Sequence, residues 1–344
     1  MYQSLVIKDD FHADTQTFFK GKRVAIAGGS GFIGSHLVEQ LLKLQARPVV
    51  LSRQDNPRFL SHIRDSIEVK NCDLQDYQQV VNSIKDCPVV LNLAASVAGL
   101  EYNAKHPASI FQENLTTFFN VIKASQEAKV ERFLVTSSAC VYPRFCSIPT
   151  PEEEGVKDEP EPTNSGYGWS KRMEEYLGAK YAEEFGMSVA IARPYNAYGP
   201  RDNFNPKSSH VIPALIRKAF ETQEDTFHVW GDGSHSRSFL YVDDFARGLV
   251  ECAARYAEAD PINIGADEEA TIKETAQKIA EEVSIIRGRQ IQPKFDPQGL
   301  TGQPRRKCDT TKAERVIGYQ AKVKFDDGLK KTIHWFAEHQ KDLS

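Results

Sequence analysis

A tyrosine and a lysine stand four residues apart in the segment Tyr167-Gly168-Trp169-Ser170-Lys171. On a helix this spacing places both side chains on one face. A cation close to a phenol favours the phenolate, so the tyrosine can act as a general acid or base at a hydroxyl. The pair is therefore suited to proton transfer while a hydride moves to or from a nicotinamide. The alternative is an exposed tyrosine beside a solvated lysine.

A serine hydroxyl for the same chemistry is available at Ser138. It ends an apolar run, residues 132–138, that is typical of a buried strand. The helix that carries Tyr167 follows this predicted strand along the chain. We therefore expect Ser138 to share the proton of the substrate oxygen with Tyr167.

Glycines lie between an apolar strand, residues 24–27, and an amphipathic helix at 35–42. Gly28, Gly31 and Gly34 lack a Cβ, so the backbone can turn tightly and approach a pyrophosphate. The N-terminus of the following helix offers unpaired N–H groups to phosphates. Together with Phe32 and Ile33, these three glycines form a turn that predicts the phosphate-binding part of a dinucleotide site.

The next strand ends in Ser52 and Arg53, where the adenosine ribose of a dinucleotide would lie. An acidic residue there would bind the ribose hydroxyls of NAD, whereas an arginine suits the extra phosphate of NADP. We therefore favour NADP(H), with NAD(H) as the possible alternative cofactor. The other interpretation of Arg53 is a solvated side chain at the end of a strand.

Further candidates for cofactor contacts follow the next two strands. Asp73 is placed to accept a hydrogen bond from the adenine amino group, with Leu74 beside it. Leu93, Ala94 and Ala95 end a buried strand in small or apolar residues, which let a dinucleotide lie across the edge of the sheet.

Strands and helices alternate from residue 24 to residue 193, which predicts a doubly wound parallel sheet of the α/β class. From residue 194 the alternation is broken by Pro, Asn and Gly, which indicates a smaller α/β substrate domain. The predicted division assigns 1–193 and 236–262 to a Rossmann-type cofactor domain, and 194–235 and 263–344 to the substrate domain. Residues 1–20 are expected to form a docked arm or a short strand and turn, and 143–162 a surface loop.

Composition limits the class of partner. The chain has 344 residues, 26% of them charged, and a formal net charge of −4, so nothing favours nucleic acid or an anionic membrane surface. Neither a bilayer-spanning run nor a signal-peptide pattern is present, so we expect a cytoplasmic protein with a small-molecule partner. The six cysteines lack metal-ligand spacing and are expected to be reduced thiols, with no metal site.

Jointly, these motifs resemble the extended short-chain dehydrogenase/reductase family of nucleotide-sugar enzymes over residues 21–340. The resemblance also includes the segments Pro194-Tyr195-Asn196-Ala197-Tyr198-Gly199-Pro200 and Trp230-Gly231-Asp232-Gly233. It implies a Rossmann domain for NAD(P), contacts of Tyr167, Lys171 and Pro194 with the cofactor, and a C-terminal domain for a nucleoside-diphosphate sugar. It also implies a homodimer built on a four-helix bundle.

Two segments are most similar to the GDP-fucose synthase and GDP-mannose 3,5-epimerase branch of that family. In Ser138-Ala139-Cys140 the resemblance implies a catalytic cysteine at Cys140, and in the segment 203–213 it implies a catalytic histidine at His210. A ketone at carbon 4 acidifies the hydrogens at carbons 3 and 5, and inversion needs a base on one face and an acid on the other. Cysteine and histidine both titrate near neutral pH in suitable surroundings. Taken alone, each residue would be interpreted as structural.

A diphosphate requires cations and amides, and guanidinium groups suit its oxygens. The resemblance places a diphosphate-binding arginine at Arg237, whereas the sequence leaves open which of Arg305 and Arg306 points inward. Trp230 either borders the nucleotide base or fills the junction between the domains. The candidate substrate-binding residues are Asn196, Val211, Arg217, Lys218, Trp230, Arg237, Arg305 and Arg306.

The sequence lacks the Thr-Asp-Glu triplet of the dehydratases after the predicted strand 132–138, so dehydration is not expected. The resemblance of the segments around Cys140 and His210 then implies epimerisation at carbon 3, carbon 5 or both, with reduction of carbon 4 by NADPH, on a GDP-hexose. The first alternative is a redox-neutral epimerase that oxidises carbon 4 transiently. The second is a non-catalytic, NAD(P)-sensing binding protein, which would not need Ser138, Tyr167 and Lys171 together.

Overall fold

The computed structural model describes residues 5–97, 100–297 and 303–343. Within them, the strands are β1 (Arg23–Ala27), β2 (Arg47–Ser52), β3 (Glu68–Asn71), β4 (Val89–Asn92), β5 (Arg132–Thr136), β6 (Val189–Pro194), β7 (Ala197–Tyr198), β8 (Thr226–Trp230), β9 (Ser236–Arg237), β10 (Leu240–Tyr241), β11 (Ile262–Ile264), β12 (Ala270–Thr271), β13 (Gln292–Asp296) and β14 (Arg305–Arg306). The α-helices are α1 (Ala13–Phe19), α2 (Phe32–Lys43), α3 (Tyr77–Ile84), α4 (Leu100–Lys105), α5 (Pro107–Glu127), α6 (Ser165–Phe185), α7 (Val211–Glu221), α8 (Val242–Arg255), α9 (Ile272–Arg287), α10 (Thr311–Ile317) and α11 (Phe325–His339).

Seven strands form one parallel sheet in the order β11-β6-β5-β4-β1-β2-β3. The strand order reverses between β1 and β4, and ligands of such sheets bind beyond the carboxyl ends of the strands at this point. The predicted Rossmann-type α/β fold is confirmed. The glycine turn after β1 and residues 93–95 after β4 therefore flank the switch point.

Apolar residues cover both faces of this sheet, as a buried parallel sheet requires. One face packs against α2, α8 and α10 through residues such as Leu41, Leu249 and Ile317. The other packs against α3 and α5 through residues such as Val80 and Phe118, with α6 beside them. The segments that carry the candidate site residues thus emerge from a rigid, two-sided core.

A second core lies among α7, α9, α11, β8 and β13. It supports a smaller C-terminal unit, but the structure differs from the predicted boundaries in two places. The boundary at residue 262 falls inside β11, which belongs to the large sheet. Helix α10 lies in the predicted substrate domain, yet Ala313 and Ile317 pack in the core of the large sheet. The division into two domains therefore stays a prediction with modified limits.

The N-terminal segment forms a docked helical arm rather than a strand. Phe11 and Phe19 are buried in the core beside α8. The backbone N–H of His12 and the hydroxyl of Thr15 donate to the carboxylate of Glu251, at 2.8 and 2.6 Å. Residues 1–4 of this segment lie outside the described residues.

The prediction of a surface loop at 143–162 is wrong for part of the segment. Thr150 and Glu161 are each 1% exposed. The Thr150 N–H donates to the carbonyl of Lys307, and the Asp309 N–H donates to the carbonyl of Thr150. Buried backbone groups need such partners, and the C-terminal segment supplies them. The loop is thereby attached to the strand that carries Arg305 and Arg306.

No helix within the described ranges is long and apolar enough to cross a membrane. Over the same residues, no group of three or more His, Cys, Asp or Glu side chains is arranged to hold a metal ion.

Candidate active site

The glycine turn is held closely against the end of β4. Gly28 has a φ of +81°, and a Cβ added there would lie 2.9 Å from the backbone N of Ala94. A Cβ on Gly34 would lie 2.1 Å from the carbonyl oxygen of Gly28. Gly31 is the N-cap of α2, so the first N–H groups of this helix, at Phe32 and Ile33, have no partner within the helix. This geometry fits the pyrophosphate of a dinucleotide.

The predicted ribose and adenine contacts lie at the ends of β2 and β3. Arg53 is exposed beyond β2 and forms no salt bridge with any described residue. Asp73 is exposed, and its Oδ1 accepts the N–H of Gln75 at 3.0 Å. Leu74 is half-buried, and its carbonyl accepts from Asn120 at 3.0 Å. Arg53 and Asp73 thus remain accessible to a ligand.

The segment after β4 forms the opposite wall of this site. Leu93 and Ala94 are half-buried and Ala95 is exposed. Asn114, on α5, is 2% exposed, and its side chain accepts from the N–H of Ser96 at 2.6 Å and donates to the Ser96 carbonyl at 3.1 Å. The same amide lies 3.3 Å from the hydroxyl of Ser170, which is on α6. Asn114 therefore ties the cofactor side of the site to the helix that carries Tyr167.

Tyr167 and Lys171 both lie on α6, as predicted, and both face inward. Burial raises the pKa of the Tyr167 phenol, the charges of Cys140 and Glu174 raise it further, and the neighbouring Ser138 side chain lowers it. Ser138 itself caps a short turn, since its hydroxyl accepts the N–H of Cys140 at 3.1 Å. The cofactor-free phenol is therefore protonated at neutral pH.

Lys171 is 2% exposed, and its Nζ lies 5.6 Å from the centre of the Tyr167 ring. The ammonium group donates to the carbonyl of Thr136 at 2.9 Å and to Oε2 of Glu174 at 2.8 Å. The sequence analysis did not identify this carboxylate partner. Burial raises the pKa of Glu174 to about 7, although Lys171 opposes the shift.

Cys140 is half-buried in the turn after β5. Its Sγ lies 3.9 Å from Nη1 of Arg306 and 4.0 Å from Nδ2 of Asn164. It is close enough to Tyr167 and Arg237 to influence the pKa of each. The structure therefore brings together Cys140, Tyr167, Ser138 and two cationic side chains.

The two neighbouring arginines of β14 point in different directions. Arg306 is 7% exposed, and its Nε donates to Gln303 at 2.9 Å. Arg305 is exposed and forms two hydrogen bonds with Glu269, each 2.8 Å long. The residue that points inward is thus Arg306. Gly302, the residue before Gln303, lies outside the described residues.

Arg237 lies opposite Arg306 because β9 pairs with β14 in parallel register. Burial and the charge of Arg306 together lower the pKa of Arg237 to about 9, although Cys140, Glu161 and Glu269 oppose the shift. Within the described part of the chain, neither guanidinium forms a salt bridge with a carboxylate, and Arg237 donates to the carbonyl of Ser236 at 2.7 Å. Two adjacent cations that form no salt bridge with a described carboxylate are suited to bind an anion.

His210 is the N-cap of α7, and Val211 is the first residue of that helix. The imidazole is exposed and makes no hydrogen bond with the residues that the structure describes. Desolvation by the surrounding protein lowers its pKa, an effect limited by its exposure to solvent. No hydrogen bond joins His210 to Cys140 within the described ranges.

Two of the remaining substrate candidates have partners within the protein. Arg217 donates to Glu221 at 2.7 Å and to the carbonyls of Phe204 and Leu343 at 3.1 and 3.3 Å. Asn196, after the buried Pro194 that ends β6, donates to the carbonyl of Ser238 at 3.0 Å. These contacts already use donor groups that the prediction assigned to a substrate.

Trp230 is 57% exposed at the end of β8. Its ring lies 5.0 Å from Nζ of Lys218, which also donates to the carbonyl of His228 at 3.2 Å. The indole therefore does not fill a domain junction, and its exposed surface is available to a planar group.

Sequence reasoning missed Asn114 and Glu174. Asn114 shares a helical stripe with Ile110, Phe118 and Val121, all of which are buried. A polar residue within an apolar stripe was the signal that could have identified it. Glu174 follows Lys171 by three residues and therefore lies on the same face of α6.

Comparison with known proteins adds to this geometry. Residues 24–265 match the profile of the NAD dependent epimerase/dehydratase family. The chain is 32% identical to the probable GDP-L-fucose synthase 1 of Oryza sativa subsp. japonica, over 93% of each chain. It is 30% identical to GDP-mannose 3,5-epimerase 1 of Oryza sativa subsp. indica, over 92% of this chain and 82% of the relative. A crystal structure of a GDP-L-fucose synthetase from Naegleria fowleri is similar with a TM-score of 0.77 and 26% identity, over 93% and 94% of the two chains.

Proposed function

Because the chain belongs to the NAD dependent epimerase/dehydratase family, whose members are enzymes that act on nucleotide sugars, we propose that it epimerises a GDP-linked 4-keto hexose and reduces it with NADPH. Epimerisation would occur at carbon 3, carbon 5 or both, and reduction at carbon 4. The family membership excludes the alternative of a non-catalytic sensor of NAD(P).

One observation carries the proposal: Cys140 lies beside Arg306 and near Tyr167. A nearby guanidinium stabilises a thiolate, and a thiolate can remove a proton from carbon. A reductase or a 4-epimerase that acts only at carbon 4 does not need this cysteine. Its position next to the phenol supports proton exchange at a carbon adjacent to the carbonyl group.

The acid and the base come from separate elements. Cys140 follows β5, and His210 begins α7. Inversion requires proton removal on one face of the sugar ring and proton delivery on the other. A thiolate with an imidazolium, or a neutral imidazole with a thiol, would supply one base and one acid. Because the two residues lie on different elements, they can approach opposite faces of the same ring.

The diphosphate of the substrate would bind between Arg237 and Arg306. Their adjacent charges lack a carboxylate partner among the described residues, and a diphosphate supplies the missing negative charge. Trp230 would then contact the nucleotide base through its exposed ring, with Lys218 beside it.

Reduction would use Tyr167, Ser138 and Lys171. When bound, NADPH would supply a hydride for carbon 4. Tyr167 would donate its proton to the carbon 4 oxygen, and Ser138 would share a hydrogen bond with that oxygen. Lys171 would hold the phenol and the nicotinamide ribose with its ammonium group. The exposed Arg53 supports the preference for NADP(H), because it can pair with the 2′-phosphate.

The test uses purified protein, NADPH and GDP-4-keto-6-deoxymannose in deuterated water. We expect oxidation of NADPH, followed by absorbance, and deuterium at carbon 3 or carbon 5, measured by mass spectrometry and NMR. Cys140→Ser should lose deuterium incorporation at one of these carbons. Cys146→Ser is a matched control, since Cys146 is also half-buried and lies in the following loop. Absence of both deuterium uptake and NADPH oxidation would contradict the proposal.

The redox-neutral alternative remains distinguishable in the same assay. It predicts deuterium uptake without net consumption of NADPH. It also predicts activity on a GDP-hexose that carries no keto group, because the enzyme would oxidise carbon 4 itself.

We also infer that two copies associate through α5 and α6, in a four-helix bundle. A shallow apolar groove of about 410 Å³ between these helices is lined by Pro107, Ala108, Phe111, Ser165, Gly166, Trp169 and Met173. Tyr176 on α6 and Phe119 on α5 are also exposed. Light scattering should give the mass of a dimer, and Tyr176→Glu should reduce it to that of a monomer. Wild-type protein that remains monomeric at micromolar concentration would contradict this interface.

A further inference from the structure

Glu174 is a buried carboxylate that the proposed chemistry does not use. It is fully buried, and its Oε2 accepts from the ammonium of Lys171 at 2.8 Å. The second oxygen, Oε1, is also buried and accepts no hydrogen bond from the residues that the structure describes. A carboxylate held in this way carries a large desolvation cost that its one ion pair offsets only in part.

The groups around Glu174 are those of the catalytic pair. From α6 itself, Lys171 and the neighbouring carboxylate of Glu175 contribute charge. From β5, the carbonyl of Thr136 accepts the other assigned hydrogen bond of Lys171. Glu174 and Cys140, from the turn after β5, both raise the pKa of Tyr167.

The adjacent Glu175 shows what a purely structural carboxylate looks like in this helix. Both of its oxygens are bonded to Arg193, at 2.7 Å each. Glu174 instead pairs with a residue that has a catalytic assignment and leaves one oxygen unpaired. The two neighbouring carboxylates therefore have different surroundings and different partners.

We propose that Glu174 is a positioning residue, which holds the Lys171 ammonium between α6 and β5 and offsets its positive charge at the Tyr167 phenol. The inference rests on the proposed function for the roles of Lys171 and Tyr167. Two of the three ammonium protons of Lys171 are directed to Thr136 and Glu174. The third ammonium proton can therefore point only away from these two acceptors.

The sign of the expected effect follows from the charges. A positive charge near the phenol lowers its pKa, and the negative charge of Glu174 opposes this. Replacing Glu174 by Gln keeps the shape and removes the negative charge. The pKa of Tyr167 should fall, so a step that needs the protonated phenol should be lost at lower pH than in the wild type.

The first measurement is the pH dependence of kcat for NADPH oxidation with the 4-keto sugar. We expect Glu174→Gln to move the alkaline limb down by about one pH unit. The KM for NADPH should rise and the KM for the sugar should stay unchanged, because the proposed function assigns Lys171 a contact with the cofactor and none with the sugar. Glu174→Asp keeps the charge and should keep the alkaline limb near that of the wild type.

A matched control lies on the exposed side of the same helix. Lys180 and Glu183 have the same three-residue spacing and form a salt bridge, with the Glu183 side chain 69% exposed. Glu183→Gln makes the same chemical change without affecting the buried pair. Its pH profile and both KM values should match those of the wild type.

The second measurement does not depend on the substrate. In cofactor-free protein with ¹⁵N-labelled lysine, the Lys171 ammonium signal is assigned by its loss in Lys171→Met. Burial raises the pKa of Glu174 to about 7, so the Lys171 signal should shift as the pH is lowered from 8 to 6. Glu174→Gln should abolish this titration, and Glu183→Gln should leave it unchanged.

An unchanged pH profile together with an unchanged Lys171 signal in Glu174→Gln would overturn the proposal. Reduced stability without either change would also overturn it, because Glu174 would then be only structural. If the wild type fails to oxidise NADPH with the sugar, the proposed function fails, whereas the ammonium titration still decides the role of Glu174. If Glu174→Gln does not fold, a Lys171 signal in Glu174→Asp that does not titrate would overturn the proposal.

Discussion

Arginines occupy two contrasting environments within this molecule. Arg193, at the end of β6, is 2% exposed and makes two hydrogen bonds with Glu175. It also donates to the carbonyl of Glu152 at 2.6 Å. Arg237 and Arg306 instead lie side by side on β9 and β14, and neither pairs with a carboxylate in the described ranges.

The pKa shifts of these arginines have opposite signs. Although burial opposes it, Glu175 raises the pKa of Arg193. Burial and the charge of Arg306 lower the pKa of Arg237. A buried cation with its own anion stabilises one arrangement of the chain, whereas an uncompensated pair favours an anion from solution. The difference distinguishes an arginine that is neutralised within the protein from two arginines that are proposed to bind an anion.

Replacing Glu175, the carboxylate that pairs with Arg193, should give the largest effect of these predictions. Glu175→Gln leaves the Arg193 charge buried without a counter-ion and should lower the free energy of unfolding by about 3–5 kcal/mol. Urea unfolding of the wild type and variant measures the change. The exposed Glu183→Gln should change it by less than about 0.5 kcal/mol. A loss for Glu175→Gln no larger than that of the control would show that Arg193 finds another partner.

An anion that binds at Arg237 and Arg306 should neutralise their charges and so stabilise the folded chain. GDP at a concentration one hundred times its Kd should stabilise the folded chain by about 2.7 kcal/mol. A thermal-shift measurement should therefore show a higher Tm with GDP than without it. Guanosine, which lacks the phosphates, should give a much smaller shift. Equal shifts with the two ligands would contradict an anion site at Arg237 and Arg306.

Replacing one of these two arginines should weaken the binding of the substrate without lowering the stability of the fold. Arg306→Gln should raise the KM of the nucleotide sugar roughly thirtyfold, equivalent to about 2 kcal/mol. Its Tm should equal or exceed that of the wild type, because a repulsive contact with Arg237 is lost. Arg305→Gln is the matched control, since Arg305 is the adjacent residue and pairs outward with Glu269. Equal KM changes in the two variants would remove the assigned role of Arg306.

Asp202, a buried carboxylate that forms no salt bridge with a described cation, extends the comparison and should give the smallest effect. Asp202 is 4% exposed, and burial raises its pKa to about 8. Since the unfolded value is near ~3.9, its contribution to stability is complete below about pH 4 and is lost as the pH rises through about 8. Relative to Asp202→Asn, the wild type should therefore lose at most about 2 kcal/mol between pH 6 and pH 8. Urea unfolding at both pH values checks this, and identical losses would show that Asp202 is solvated.

The sequence was sufficient to predict those features of the structure whose signal lies within a short stretch of the chain. The glycine turn, the strand before it and the helix after it occupy 21 consecutive residues between Arg23 and Lys43, with the bounds of β1 and α2 close to those expected. The spacing of Tyr167 and Lys171 fixes their common face once α6 is a helix. The alternation of strands and helices was also enough to predict the parallel sheet.

The sequence was insufficient where the partner lies far along the chain. The inward position of Arg306 depends on the pairing of β14 with β9, 69 residues earlier, and a two-residue strand is too short to show a periodicity. The burial of residues 150–161 depends in part on backbone partners at Lys307 and Asp309. The carboxylate that neutralises Arg193 belongs to Glu175, which lies on a different element, α6. Such contacts are set by tertiary packing, which overrides local propensity.

The pairing of β9 with β14 also has a consequence for the order in which the site is completed during synthesis. The cofactor turn, Tyr167 and Lys171 all precede residue 172, and the central strands of the sheet precede β6. Arg306 leaves the ribosome much later, together with the segment that pairs with Thr150. Because domains tend to fold as units from the N-terminal side, a nascent chain would gain its dinucleotide cradle first and its anion site last. Until then Cys140 would lack its guanidinium neighbour, on which the proposed proton exchange depends.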